Sequence, residues 1–331
     1  MVDPFLQVIL YGVVGGWSLL SNLLIISVFM CNRMLKDTIN LLLLSMAIND
    51  ILVIITGVPL TILNLIQGTH HEISQMLCPY MGYVTLALFV CSVLHLPMIA
   101  LQRYLSVVKS SFYVKHSTKG KSFIAIVAVW IISFMISLPP LLGWGSIRYD
   151  AARFWCFVIW RETGQYLAFV NILCFPIPLG IMIYSYFKVY KYYTQAFKRI
   201  TARSSGLGHV SEKARIKREQ RLTIMLILVV CWFFASFFLY LLGAYGEAFS
   251  LFRFPDKLDF AALLLAYCNS IGNFWLYAFM GSKFRKGLKR MCRPRPRGCR
   301  EVESFSLRSS SMVGRRHGSI TNERLINADN L

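Results

Sequence analysis

Seven long apolar runs, nearly free of charge, constrain this chain's fold more than any other feature. They lie at about Leu6 to Met30, Leu41 to Ile66, Leu77 to Leu101, Phe123 to Trp144, Tyr166 to Tyr190, Leu222 to Tyr245 and Phe260 to Met280. Inside hydrocarbon, a helix satisfies its own backbone polar groups without a partner segment, so each run predicts a membrane-spanning helix. A composition that is 56% hydrophobic and 15% charged over 331 residues excludes an ordinary soluble domain. A cleaved signal peptide is the alternative for the first run, but that run lacks a basic start, is too long, and leads directly into another span. The fold class expected is an all-α membrane protein: seven helices in a bundle.

The third run shows how such a helix would sit. From Cys78 to Arg103 a helix covers roughly 38 Å, slightly more than the ~30 Å hydrocarbon core, so the cysteine belongs at one membrane face and the arginine at the other. The net charge of +20 falls mainly on one side. Arg33, Lys36, Lys109, Lys115, Lys119, Lys121, Lys198, Arg199, Arg203, Lys213, Arg215, Lys217 and Arg218 all follow spans one, three and five, and the tail continues the bias. By the positive-inside rule the amino terminus is outside and the tail is cytoplasmic, in the plasma membrane. Nucleic acid is therefore not the expected partner. The basic face suits either anionic inner-leaflet lipid or a cytosolic protein. Of nine cysteines, only Cys78 and Cys156 fall at the oxidising outer face, which predicts a disulfide between them.

Polar residues within spans need a reason. Asp50 is the one acid deep in a span, and an ionisable group there costs about 2.5 to 3.5 kcal/mol on insertion scales, so it should face the bundle interior with partners. Asn22, Ser92, Asn269 and Asn273 are the candidates. Together they would either hold a Na⁺ ion through oxygen ligands or form a dry interhelical hydrogen-bond cluster. His95 has no companion His/Cys group, so an interhelical hydrogen bond is expected rather than a metal, and no nucleophile–base pair suggests an enzyme. Pro97 should loosen the third helix.

Beyond the spans, the loop GWGSIRYDAARFWC after Pro139-Pro140 is rich in aromatic and turn residues and suits the cap of a cavity. Ser282 to Met291 reads as a short amphipathic helix at the membrane surface. Cys292 directly after it is a candidate for palmitoylation. Residues 1–291 would form the membrane domain. Residues 292–331, with Ser304, Ser306, Ser309, Ser310, Ser311, Ser319 and Thr321 among arginines, would be a disordered cytoplasmic tail whose charge phosphorylation reverses.

Asn22, Asp50, Cys78, Gln102-Arg103-Tyr104, Trp130, Cys156, Pro178, Tyr186, Cys231-Trp232 and Asn273-x-x-x-Tyr277 occur in order and in the right spans to resemble the rhodopsin-like family of G-protein-coupled receptors. The resemblance covers about Val8 to Met291. It implies an outward-opening ligand pocket, a Na⁺ site around Asp50, and a cytosolic cavity where Gln102, Arg103, Tyr104, Tyr186 and Tyr277 meet a heterotrimeric G protein. Arrestin and receptor kinases would act through the Ser-rich tail. The family's pocket-facing pattern implies Thr85, Leu86, Phe89, Asn171, Cys174, Trp232, Ser236, Leu239, Leu263 and Tyr267 as the lining, and its mostly apolar, uncharged character favours a small, uncharged, lipophilic ligand.

Leu264-Leu265-Ala266-Tyr267-Cys268-Asn269-Ser270 and Gly145 to Asp150 are similar to melatonin receptors, and Gly143-Trp144-Gly145 to opsins. The chain also departs from these patterns. Tyr267 stands where an opsin has its retinal lysine, so no retinal cofactor is expected. Val158 replaces the melatonin-receptor glutamine, and Thr85 stands where an aminergic receptor has an acid. Phe234 and Phe274 replace prolines in spans six and seven. Gln102 replaces the acid beside Arg103, and Ala214 occupies the place of the second acid. Losing both counter-charges predicts raised basal activity. A transporter would show paired mid-membrane charges or repeated halves, which the sequence lacks. The competing expectation is a non-signalling receptor relative that acts as a trafficking partner or scavenger.

Overall fold

A computed structural model describes residues 3–292, apart from 33, 35, 36, 68–75, 151, 152, 203–206 and 281. The helices are α1 (Pro4–Cys31), α2 (Thr38–Gln67), α3 (Cys78–Val108), α4 (Ser110–His116), α5 (Lys119–Ser137), α6 (Gly164–Cys174), α7 (Pro176–Ala202), α8 (Leu207–Ala248), α9 (Asp256–Met280) and α10 (Ser282–Cys292). Among the described residues, six segments are long and apolar enough to cross a membrane: α1, α2, α3, α5, α6 with α7 as one span, and α8. α9 is the seventh bundle helix, with Asp256 and Asp259 in its first turn. Met1–Gly287 form one compact unit, and the last turn of α10 opens a second unit that begins at Leu288.

Residue chemistry sets the boundaries. Asp3 caps α1 by accepting the Phe5 N–H at 3.1 Å, with Pro4 in the first turn where its missing donor costs nothing. The fourth span ends at Ser137 rather than Trp144, because Pro139 and Pro140 open a short 3-10 turn that closes on left-handed Gly143. The fifth span breaks at Phe175, immediately before Pro176. Pro97 lies within α3, which continues through it to Val108.

α3 packs against α2, α5 and α7, and its buried residues run almost around its circumference, as befits a central helix. α1 packs on α2 and α9, and α8 on α9 and α7. α5 buries only Ser122, Val129, Ser133 and Ser137 and turns Phe123, Ile124, Ile131, Ile132 and Met135 outwards. Small residues at the contact let helices approach closely where lipid offers no hydrophobic drive. Between α5 and α6 a two-stranded antiparallel hairpin, β1 (Ile147–Asp150) and β2 (Trp155–Val158), pairs Ile147 with Val158 and Tyr149 with Cys156. The sequence reading did not anticipate these strands. All four residues of β2 are buried, so the loop enters the bundle.

Candidate functional site

The hairpin is fixed from several sides. Cys78 at the start of α3 is disulfide-bonded to Cys156. Gly82, one turn on, leaves no room for a side chain: a Cβ there would stand 2.3 Å from Ile147 Cγ2 and 3.0 Å from the Cys156 carbonyl oxygen. Asn64 of α2 donates to the Phe154 carbonyl at 3.0 Å. Arg153 reaches across to the opposite helices. Its Nε and Nη2 each meet an Asp259 oxygen at 2.8 Å, Nη2 also meets Glu247 at 3.0 Å, and Asp150 lies 3.4 Å from Nη1. Burial alone would push the guanidinium towards its neutral form, but the hydrogen bonds to Asp259 and the surrounding negative charge hold its pKa above the ordinary arginine value.

Beneath this roof lies a cavity of about 100 Å³. Of the expected residues, Thr85, Leu86, Phe89, Asn171, Leu263 and Tyr267 line it. Cys174, Trp232, Ser236 and Leu239 do not. On α8 the lining comes from Phe237, Tyr240, Leu241 and Ala244, so this helix is turned by about one residue, roughly 100°, from the expected phase. Aromatic packing is the reason. Phe233 is fully buried with its ring centroid 4.7 Å from Phe237, while Phe89 sits 4.3 Å from Phe237 and 6.4 Å from Phe233. Trp232 instead lies against Gly272, where a Cβ would come within 2.1 Å of the indole nitrogen. Ser236 donates back to the Trp232 carbonyl at 2.7 Å. The hairpin adds Phe157, Val158 and Trp160 to the lining. Two expected polar contacts already have partners: Thr85 accepts the Trp155 indole N–H at 3.2 Å, and Asn171 bonds Tyr245.

Farther along the bundle, Asp50 is fully buried and its Oδ2 accepts from Asn273 at 2.9 Å. Asn22 donates to the carbonyls of Ser18 and Ser270, both at 3.0 Å. Ser92 accepts from Asn49 at 2.6 Å rather than facing Asp50 directly. Four buried oxygens, Asn22 Oδ1, Asn49 Oδ1, Asp50 Oδ1 and Asn273 Oδ1, have no donor. The Ser18 hydroxyl, one turn from Asn22, is also unpaired, and a layer with this excess of acceptor oxygens fits a hard cation, which takes oxygen ligands. Among the described residues no group of His, Cys, Asp and Glu could otherwise hold a metal. His95 makes the expected interhelical bond, to Ser45 at 2.8 Å, and Trp130 donates to the same hydroxyl at 3.0 Å.

At the opposite end of α3 the expectation of an unpaired arginine is overturned. Arg103 Nη2 donates to Glu219 Oε2 at 2.7 Å, to the Glu219 carbonyl at 3.1 Å and to Tyr193 at 3.2 Å. Ala214 is exposed and irrelevant to the pair. Glu219 was findable: it lies three residues after buried Ile216 and four before buried Thr223, on the inward stripe of α8. Tyr186 is buried here, and Tyr104 pairs with Tyr184 at 5.7 Å. Gln102 donates to Thr38 at 2.5 Å and to Tyr113 of α4 at 3.4 Å. The side chains of Tyr277 and Cys292 and the whole Ser-rich tail lie outside the described residues.

The 7 transmembrane receptor (rhodopsin family) profile matches residues 21–277. G-protein coupled receptor 52 of Mus musculus is 29% identical over 82% of this chain and 76% of its own length. Melatonin receptor type 1B of Mus musculus is 24% identical over 88% and 78%. The crystal structure of squid rhodopsin superimposes with a TM-score of 0.77 at 20% identity, covering 88% of this chain and 86% of that one, and so matches in fold. The protein is thus an integral, multi-pass membrane receptor that couples to G proteins, and not an enzyme. The chain belongs to the rhodopsin family of seven-transmembrane receptors.

Proposed function

We propose that this receptor lies in the plasma membrane with its Cys78 end outside and its Arg103 end in the cytoplasm, and that it answers a small, uncharged, lipophilic ligand held in the cavity beneath the hairpin. The observation that carries this reading is the cavity's lining: Leu86, Phe89, Phe237, Leu241 and Leu263 are apolar, and among the described residues no charged side chain lines it. Apolar walls with sparse neutral polar groups suit such a ligand. α8 connects the two ends. Phe237 and Tyr240 face the cavity, and Glu219, lower on the same helix, bonds Arg103. An agonist that favours a displaced α8 would weaken that pair, and it must bind the active bundle more tightly, since equal affinity shifts nothing.

A Na⁺ ion at Asp50, Asn22, Asn273 and the neighbouring Asn49 would stabilise the resting bundle, with Ser92 and Asn269 at its margin. The G protein would engage around Arg103, Tyr104, Tyr186, Gln102 and Tyr277. Residues 292–331 would serve arrestin and receptor kinases, with Cys292 lipid-anchored, and no retinal is held because Tyr267 supplies no Schiff-base amine.

The test is an agonist screen in cells with several second-messenger readouts, repeated with Leu86→Trp to fill the cavity and Arg103→Ala to disable coupling. Both variants should abolish the response at matched surface expression. A cationic amine that acts equally on Leu86→Trp would refute this pocket. Silence of the wild type under every readout would favour the non-signalling alternative.

A further inference from the structure

The cavity's inner end is polar. Besides its apolar walls it is lined by Ser92, Asn269 and Ser270, which belong to the layer around Asp50. The cavity reaches this layer because the Trp232 indole, 37% exposed, is turned to Gly272 and does not cross the bundle. Two of the three floor residues are engaged: Ser92 accepts from Asn49 at 2.6 Å, and the Ser270 carbonyl accepts from Asn22 at 3.0 Å. Asn269 differs. It is 4% exposed, it faces the cavity, and its amide makes no hydrogen bond to any described residue. Its amide opens onto the cavity, where water or a ligand group can pair with it, and leaving it bare there would cost about 1 to 3 kcal/mol.

We propose that Asn269 anchors the head group of the ligand, and that the ligand is a slender, uncharged molecule with an apolar body and one terminal group that both donates and accepts hydrogen bonds, as a primary carboxamide does. This rests on the reading that the ligand occupies the cavity. A side-chain amide offers one acceptor and two donors, and another amide meets both functions in one plane. A charged head is disfavoured, since an anion would face the Asp50 carboxylate, a cation would compete with the Na⁺ proposed there, and the walls on the way are apolar. Slenderness follows from size: about 100 Å³ is well below the 300 to 1,000 Å³ usual for drug-sized ligands. Asn269 also lies four residues before Asn273 on α9, on the same face and about 6 Å along the axis, and Asn273 holds Asp50. Head group and cation would therefore be neighbours.

The experiment uses the full-length receptor in lipid nanodiscs and octanamide as the probe, with nonan-2-one as an acceptor-only control, and reads apparent affinity from the ligand-dependent rise in unfolding temperature. Octanamide should bind the wild type more tightly than nonan-2-one, and Asn269→Leu should weaken it about tenfold, the worth of a well-made hydrogen bond at this depth. Asn269→Ala serves if the leucine variant does not reach the membrane. Leu86→Trp should abolish binding of both probes. Equal octanamide affinity in wild type and both Asn269 variants, still lost in Leu86→Trp, overturns the anchor and leaves the cavity reading standing. Octanamide binding that survives Leu86→Trp overturns both. An absence of octanamide binding to the wild type at millimolar concentration overturns the anchor.

Discussion

Arg103 of α3 donates to the Glu219 carboxylate of α8 at 2.7 Å, joining the central helix to the helix that lines the cavity. Glu219 also bonds Arg103 through its carbonyl, and Tyr193 of α7 completes a three-helix node. The arginine is nearly buried and the glutamate about a quarter exposed, so the pair is screened less than one at an open surface.

On the proposed function, this pair should restrain basal activity. A charge-assisted hydrogen bond contributes about 1.5 to 3 kcal/mol, enough to move a two-state ratio by tenfold or more when it exists only in the resting state. Glu219→Gln should therefore raise ligand-free second-messenger output, while Gln102→Glu should change it far less, because Arg103 already has its counter-charge. The raised wild-type basal activity expected from the loss of both acids is not supported once Glu219 is in place. The check is signalling at matched surface amounts of wild type, Glu219→Gln, Gln102→Glu and Arg103→Ala. A Gln102→Glu effect larger than that of Glu219→Gln would contradict this account.

The Arg153 node should be a major stabiliser of the hairpin. Removing the guanidinium leaves Asp150, Glu247 and Asp259 facing one another, and breaking a buried ion pair by deleting one partner costs about 3 kcal/mol. Arg153→Ala should lower the unfolding temperature markedly. Arg153→Lys should fall between, since an ammonium cannot make the two-point contact with Asp259. Indistinguishable unfolding temperatures for wild type and Arg153→Ala would remove the node from the stability of the fold.

Much of this was legible from chemistry that is local in the chain. The spans announce themselves because lipid demands uninterrupted helices, and Cys78 and Cys156 could be matched because only they fall at the outer face. The phase of α8 was not legible. Trp232, Phe233 and Phe234 are consecutive aromatics, so apolar periodicity does not say which faces in, and the deciding residue, Gly272, belongs to another helix. Glu219 was missed because the expected position, Ala214, was carried from a family pattern instead of being read from the inward stripe. The hairpin was hidden because Trp155 to Val158 are buried by α2, α3 and α9, neighbours distant in sequence.

Asp50 gives a prediction that needs no ligand. If the acceptor-only oxygens around it hold Na⁺, replacing choline chloride with sodium chloride at equal ionic strength should raise the unfolding temperature of the solubilised receptor. Stabilisation by a ligand of the folded state grows as RT ln(1 + [L]/Kd), so the rise should follow sodium concentration. Asp50→Asn should abolish it. A sodium effect of the same size in Asp50→Asn would point to the dry hydrogen-bond cluster.

The register of α8 can be tested by comparing neighbours. Phe233 is fully buried among Phe89, Phe237 and Phe234, and truncating a buried phenylalanine to alanine costs about 3 to 5 kcal/mol through lost transfer energy and the cavity left behind. Trp232 is larger, yet more than a third of it is exposed at the rim of α8 and α9, where lipid can fill much of the space that a truncation opens. Phe233→Ala should therefore lower the unfolding temperature more than Trp232→Ala, reversing the order of side-chain size. Gly272→Ala adds an independent arm, since its methyl group would collide with the indole, and the clash should vanish in the Trp232→Ala background. Were α8 in the phase first expected, with Trp232 inward, Trp232→Ala would be the more damaging change and Gly272→Ala would be insensitive to it. That outcome would also withdraw Phe237, Tyr240, Leu241 and Ala244 from the cavity and restore Ser236 and Leu239.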